Sequence, residues 1–264
     1  MCETCGCDAG AAPRLTTLPA PDHGHGHRHG HGHGHGRVVP LGQKVLARND
    51  DLAGRNRAWL AARGVLALNM MSSPGSGKTT LLERTIAELS PSHLAASGGT
   101  TPHNHPFSVI EGDQETLLDA RRLAAAGART VQVNTGAGCH LDAAMVAGAL
   151  TALDPPDGST VFIENVGNLV CPALFDLGER ARVVLMSVTE GADKPLKYPH
   201  MFRGADVLLL NKIDLLPHVD FDVDACRDAA RRVCPGLSVL PVSATRGDGL
   251  DTWYDWLTDT ERPA

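Results

Sequence analysis

The stretch that most constrains this chain is Ser72-Ser73-Pro74-Gly75-Ser76-Gly77-Lys78-Thr79-Thr80. It lies between an apolar run, Val65 to Met71, and a helical pattern from Lys78 to Leu89. A short apolar run that ends at a Ser/Pro/Gly cluster reads as a buried strand. Strand, small-residue loop and helix in that order make a phosphate cradle. Small residues let backbone N–H groups turn inward on a phosphate, and the helix start adds the positive end of its dipole. Gly75, Ser76, Gly77 and Thr80 shape the cradle, Lys78 reaches the β- and γ-phosphates of a nucleotide, and the Thr79 hydroxyl ligates Mg²⁺. Ser72 stands where such loops carry their first glycine, which narrows the backbone allowed there.

Downstream the pattern alternates. Strands are expected at 107–110, 129–133, 160–163, 182–188, 207–210 and 237–241, and helices at 115–126, 141–153, 196–202, 223–233 and 250–257, with a connecting loop at 90–106. Such alternation implies an α/β fold of the P-loop NTPase kind, with a mostly parallel sheet and helices on both faces. The domain spans 64–260. Ahead of it a helix is expected over 44–63, its apolar face formed by Val45, Leu46, Leu52, Trp59 and Leu60. Residues 1–40 hold clustered cysteines and a His/Gly tract but little apolar surface, so a flexible, metal-binding segment is expected there, disordered without metal.

Asn211-Lys212-Ile213-Asp214 follows the 207–210 strand as a base-reading element. The Asp214 carboxylate accepts both donors of guanine's N1 and exocyclic amine, a pair adenine lacks. Asn211 fixes the loop and the Lys212 stem covers the ring. Ser243-Ala244-Thr245, after the next strand, offers a backbone N–H to the guanine carbonyl. Asp113, in Glu111-Gly112-Asp113, and Glu164, in Phe162-Ile163-Glu164-Asn165, end strands near the phosphates. Each is a candidate to hold Mg²⁺ or orient the attacking water, and each can also be read as a helix cap or surface charge. Gly167 gives a loop the freedom to sense the γ-phosphate.

Metal ligands fall in three groups. Cys2, Cys5 and Cys7 form Cys-x-x-Cys-Gly-Cys, three thiolates able to close on one thiophilic ion, nickel or zinc. Removal of Met1 would add an amino nitrogen. His23, His25, His27, His29, His31, His33 and His35 alternate mostly with glycine and suit buffering of several ions. Cys139-His140 sits at a glycine turn between strand and helix, and Cys171 follows the Glu164 strand. In a parallel sheet both emerge at the carboxyl edge, beside the phosphates. Three ligands from one chain leave a metal open, or shared across a two-fold dimer. Cys226 and Cys234 read as ordinary helix residues.

The net charge of −6 argues against nucleic acid as a partner, since no basic surplus replaces phosphate counterions. No apolar run approaches the ~20 residues of a membrane span, and the N-terminus carries no basic-then-apolar leader. Seven cysteines in a chain of this kind read as thiolate ligands, and the expected location is the cytoplasm.

Taken with Gly138-Cys139-His140-Leu141-Asp142, Glu164-Asn165-Val166-Gly167-Asn168-Leu169-Val170-Cys171-Pro172 and Gly191-Ala192-Asp193-Lys194-Pro195-Leu196-Lys197-Tyr198-Pro199, these motifs resemble the HypB family of hydrogenase nickel-incorporation GTPases, related to the urease accessory G protein. The resemblance covers about 44–257. It implies GTP hydrolysis with Mg²⁺, a GTP-dependent homodimer, and nickel (Ni²⁺) delivery to the large subunit of a [NiFe]-hydrogenase alongside a HypA-like accessory protein. It also implies a tight metal site at Cys2, Cys5 and Cys7 and a weaker one at Cys139, His140 and Cys171, with Zn²⁺ possible at the same sites. Nucleotide and inner metal are expected to influence each other, because Cys171 rides on the Glu164 loop. The alternatives are a nickel storage protein with a nucleotide-switched dimer, and a nickel GTPase serving urease.

Overall fold

In a computed structural model of the chain the described residues are 41–89, 106–113, 116–136 and 138–261. The chain divides into two units, 1–48 and 49–264. Of the first, residues 41–48 are described, and they are helical. They open α1, Leu41–Ala62. Within the second unit α1 buries Asn49, Ala53, Asn56 and Leu60, a stripe at helical spacing. The expected apolar face is thereby corrected: Trp59 stays 37% exposed, beneath the Arg63 guanidinium. Two asparagines take the buried places because they have main-chain partners. Asn49 accepts the Ala143 N–H, and the Asn56 amide donates to the Ala143 and Leu177 carbonyls. At Gly64, φ +63°, the helix ends with the Val65 N–H returning to the Leu60 carbonyl, the glycine-closed helix end.

The strands are β1 (Leu66–Ser72), β2 (Phe107–Asp113), β3 (Arg129–Asn134), β4 (Thr160–Glu164), β5 (Ala181–Ser187), β6 (Val207–Asn211) and β7 (Ser238–Pro241). They form one sheet in the order β3-β2-β4-β1-β5-β6-β7, every pairing parallel. The helices are α2 (Lys78–Leu89), α3 (Leu118–Ala125), α4 (Ala143–Leu153), α5 (Lys194–Lys197), α6 (Pro199–Arg203), α7 (Val223–Val233) and α8 (Leu250–Glu261), with 3-10 turns at Cys171–Leu174 and Ile213–His218.

Strand periodicity sends alternate residues to opposite faces of the sheet. Leu68, Met70, Val183, Leu185, Val207 and Leu209 pack with α2 and α8, while Met71, Val184, Met186, Leu208 and Leu210 pack with α6 and α7. Both faces are therefore covered, as buried parallel strands require. Trp253 of α8 is fully enclosed, and its indole N–H reaches the Thr85 hydroxyl at 3.0 Å.

Four expected helices begin elsewhere, those of 44–63 and 115–126 at Leu41 and Leu118. The 141–153 segment starts at Ala143 because Asp142 caps it, accepting the Met145 N–H at 2.8 Å. The 196–202 segment is two short helices, since Pro199 has no N–H to continue the first and holds Tyr198 out of helical geometry at ψ 55°. The polar residues Ser72, Asp113, Glu164, Ser187 and Asn211 all end strands, so they gather along the carboxyl edge of the sheet.

Candidate nucleotide and metal site

A cleft of about 530 Å³ opens at that edge, floored by the 74–80 loop and walled by the ends of β2 and β4. Gly75 and Gly77 hold φ +73° and +100°, the left-handed region that glycine enters without cost. At Gly77 a β-carbon would also lie 2.6 Å from the Asn211 amide, which donates to the Ser76 carbonyl at 2.9 Å. Ser72 needs no such freedom, because it continues β1 opposite Leu185. Its hydroxyl accepts from the Lys78 ammonium at 2.9 Å. Burial holds Lys78 below its ordinary pKa, partly opposed by the nearby Glu164 charge. An anion entering the cleft would restore that ammonium's charge balance.

Glu190 and Lys194 also grip the cradle, a contact the sequence did not assign. The Glu190 carboxylate accepts from the Ser73 hydroxyl at 2.5 Å and the Ser76 hydroxyl at 2.8 Å. Lys194 donates to the Ser73 hydroxyl at 2.8 Å and pairs with Glu190. Burial works to raise the Glu190 carboxyl, but Lys194, Ser73, the Ser187 N–H and Ser76 outweigh it and hold the pKa low.

Among the acidic groups, Glu164 accepts the Thr79 hydroxyl at 2.7 Å on one oxygen, while the other is buried with no partner among the described residues. Burial raises its pKa, with Lys78 and Thr79 opposing. Glu111 lies opposite Glu164 in the β2–β4 register and also has one buried, unpartnered oxygen. Burial, reinforced by the Glu164 charge, pushes Glu111 up to about 8. Two orphaned carboxylate oxygens beside a threonine hydroxyl fit a hard divalent cation such as Mg²⁺. Asp113 lines the same cleft, where its carboxylate accepts from the Thr116 N–H at 2.9 Å and hydroxyl at 2.8 Å. Arg122 of α3 joins the wall, donating to Glu83, Asp119 and Thr80. The motif Glu111-Gly112-Asp113 was visible in sequence, but only strand register shows Glu111 facing Glu164.

A second recess of about 280 Å³ adjoins the first, lined among others by Asn211, Lys212, Asp214 and Ala244. Lys212 takes φ +63° and reaches the Gly75 carbonyl at 2.7 Å, joining the base-side loop to the phosphate loop. Asp214 accepts the Ser243 hydroxyl at 2.6 Å. The Ser243 and Ala244 N–H groups are engaged within the protein, donating to the Asp248 carbonyl and the Asn211 side chain. Ala244 and Thr245 of that loop both line the recess.

Cys139, His140 and Cys171 come together beside the cleft, each offering one ligand atom, all within 4.8 Å of one another. Their strands are not neighbours, since β2 lies between β3 and β4. The chain crosses the end of β2 at Gly112, where a β-carbon would sit 2.9–3.0 Å from the Leu141 side chain. Cys171 is buried at the start of its 3-10 turn. The His140 ring stacks on Phe175 at 4.0 Å between centroids. Burial lowers the His140 pKa, against the pull of Asp142, which keeps the imidazole neutral and fit to bind metal. Two sulfurs and an imidazole suit nickel or zinc. Cys226, by contrast, is fully enclosed in the core, its thiol pushed up to about 11 by burial.

The sequence profile of the CobW/HypB/UreG nucleotide-binding domain matches residues 66–241. This chain belongs to the CobW/HypB/UreG family. The hydrogenase maturation factor HypB of Escherichia coli (strain K12) is 45% identical over an alignment of 303 positions that covers all of both chains. That of Azotobacter chroococcum mcd 1 is 54% identical over 221 residues, 84% of this chain and 68% of the relative. Among solved structures, HypB from Archaeoglobus fulgidus superposes with a TM-score of 0.71 at 36% identity, covering 82% of this chain and 100% of the other. HypB from Helicobacter pylori in complex with nickel gives 0.71 at 37% identity, covering 81% and 95%. The parallel P-loop fold of the CobW/HypB/UreG chain is thus the one shared by HypB structures. Cys2, Cys5, Cys7 and the seven histidines from His23 to His35 lie outside the described residues. No described helix is long and apolar enough to cross a membrane.

Proposed function

We propose that this chain is a GTP-hydrolysing nickel metallochaperone, acting in the cytoplasm to deliver nickel to the large subunit of a [NiFe]-hydrogenase. The observation that carries this reading is the adjacency of two chemistries at one sheet edge. One is a phosphate cradle with a buried lysine and orphaned carboxylate oxygens. The other is a soft Cys139–His140–Cys171 cluster. The hydrogenase maturation factors among its relatives supply the client, and a HypA-like protein is the expected companion.

Mg²⁺ supplies neutralisation of the charge shared by the β- and γ-phosphates. Thr79, Glu164 and Glu111 would hold the ion, Lys78 would draw in the phosphate oxygens, and Asp113 or Glu164 would orient water toward the γ-phosphorus. Asp214 selects guanine and Lys212 covers it. Three protein ligands leave the nickel cargo room for a further donor, from a second copy in a GTP-dependent dimer or from the receiving protein. The 64–260 region is the GTPase domain, and residues 1–40, with the Cys2–Cys5–Cys7 set and the His tract, act as a metal reservoir that also accepts zinc.

The test pairs phosphate release from GTP and ATP with complementation of a host lacking its own maturation factor. Magnesium-dependent GTP turnover and restored hydrogenase activity, both lost in Lys78→Ala, are expected. Full complementation by Lys78→Ala would favour storage over GTP-driven delivery. A second reading, service to urease, gains weight from the Helicobacter pylori relative named hydrogenase/urease maturation factor HypB, 36% identical. Restored urease activity without hydrogenase activity would select it.

A further inference from the structure

Residues 165–168 touch the nucleotide cleft on one side and the metal cluster on the other. On the cleft side, Asn165, Val166 and Gly167 line the pocket. Gly167 lies so close to the phosphate loop that a β-carbon there would come 3.0 Å from the Pro74 α-carbon. Asn165 also directly follows Glu164, which holds the Thr79 hydroxyl.

On the cluster side, Asn165 is 1% exposed, and its side-chain Oδ1 accepts the N–H groups of Leu141 and Val166, both at 3.0 Å. Its amide donates to Asn69 at 3.3 Å. Leu141 is the residue after His140. Asn168 repeats the arrangement. Its side-chain Oδ1 accepts the Val170 N–H at 2.8 Å, and its Nδ2 donates to the Cys139 main-chain carbonyl at 3.4 Å. Val170 is the residue before Cys171.

The geometry points to Asn165 and Asn168 as positioning residues that make the metal affinity of the Cys139–His140–Cys171 cluster follow the nucleotide in the cleft. Cys171 shares a continuous backbone with this segment, but Cys139 and His140 arrive from another strand. The asparagine side chains tie main-chain atoms beside them to it. When Gly167 follows a γ-phosphate, Asn165 and Asn168 carry the shift to main-chain atoms next to all three ligands, so the cluster deforms as a unit. This inference rests on the reading of the cleft as a GTP site and of the cluster as a cargo site.

The test uses the full-length chain carrying Cys2→Ala, Cys5→Ala and Cys7→Ala, so that the thiolate-to-metal charge-transfer absorption reports the inner cluster. Co²⁺ is the probe, titrated with Mg²⁺ and either GDP or a non-hydrolysable GTP analogue. In this parent the two affinities should differ at least about fivefold, the lower end of typical coupling between sites. In Asn168→Ala the ratio should fall below about twofold. Asn168→Asp keeps the acceptor for Val170, loses the donor to Cys139 and adds a charge that acts on the metal in both nucleotide states, so it should collapse the ratio as well. A purely structural role would weaken both affinities together and leave the ratio intact. GDP affinity, measured alongside, reports that each variant is folded. A ratio preserved in both variants overturns the inference alone. A parent ratio of one removes nucleotide–metal coupling, and the inference with it.

Discussion

The phosphate cradle draws nine consecutive residues, Ser72 to Thr80, into one turn, whereas the metal cluster draws Cys139 and His140 from beyond β3 and Cys171 from beyond β4. The cradle is already fastened: Ser73, Gly75, Ser76 and Lys78 all have partners, from Glu190, Lys194, Asn211, Lys212 and Ser72. Within the cluster the Cys139 sulfur lies 3.8 Å from the His140 ring. Asn165, Asn168 and Phe175 brace the segments that carry its ligands. A receptor closed within one loop beside one assembled from separate strands suits a device in which the first sets the state and the second responds.

The sharpest way to break that contrast is Lys78→Ala. Loss of a buried, charge-assisted donor should weaken GTP binding by about 100-fold or more, read by calorimetry, while nucleotide-free metal affinity at the inner cluster moves far less. An equal loss at both sites would show that the cradle is not an independent scaffold. Next in size is Cys171→Ala. Outer-sphere changes alone typically cost 10–100-fold in metal affinity, so removing a ligand should cost about 100-fold or more in the charge-transfer titration. GTP affinity without metal should change much less. Asp214→Asn comes third. It exchanges an acceptor for a donor facing guanine, so GTP affinity should fall about 10- to 100-fold and xanthosine triphosphate should gain, by competition binding.

The smallest effect is on stability. Unfolded Glu111 loses its proton in the ordinary carboxylate range, but the folded chain retains it until about pH 8. The folded state therefore binds more protons between those values, and its stability declines as pH rises through the window. Glu111→Gln should raise the Tm of the ligand-free protein by about 2–6 °C at pH 8 and scarcely at pH 4.5, by calorimetric scan. A gap that grows toward acid pH would contradict the buried-acid account.

The contrast also explains what could be read from the sequence. Consecutive motifs announce themselves, and short apolar runs bounded by turn residues marked each strand to within a few residues. The Cys139-His140 pair and Cys171 were recognisable as ligand types, but their meeting depends on the Leu141 crossing over β2, a matter of strand order. Glu111 was passed over because its neighbour across the sheet is fixed by register. Glu190 and Lys194 sit beside a recognised motif, yet their grip on Ser73 and Ser76 spans more than 110 residues. The α1 stripe misled because buried asparagines satisfied by main-chain groups look polar in sequence.

Gly112 leaves less than a methyl group's room beneath the Leu141 side chain. Its neighbours Glu111 and Asp113 send their side chains to the opposite face of β2, as strand alternation demands. One strand thus serves as the anvil for two jobs, bearing acidic groups on one side and the strap that leads from Cys139 and His140 on the other. Whatever draws that strap tight presses on the same strand that shapes the phosphate cleft. An alanine at 112 would act as a shim, lifting the strap while the acidic side chains keep their facing.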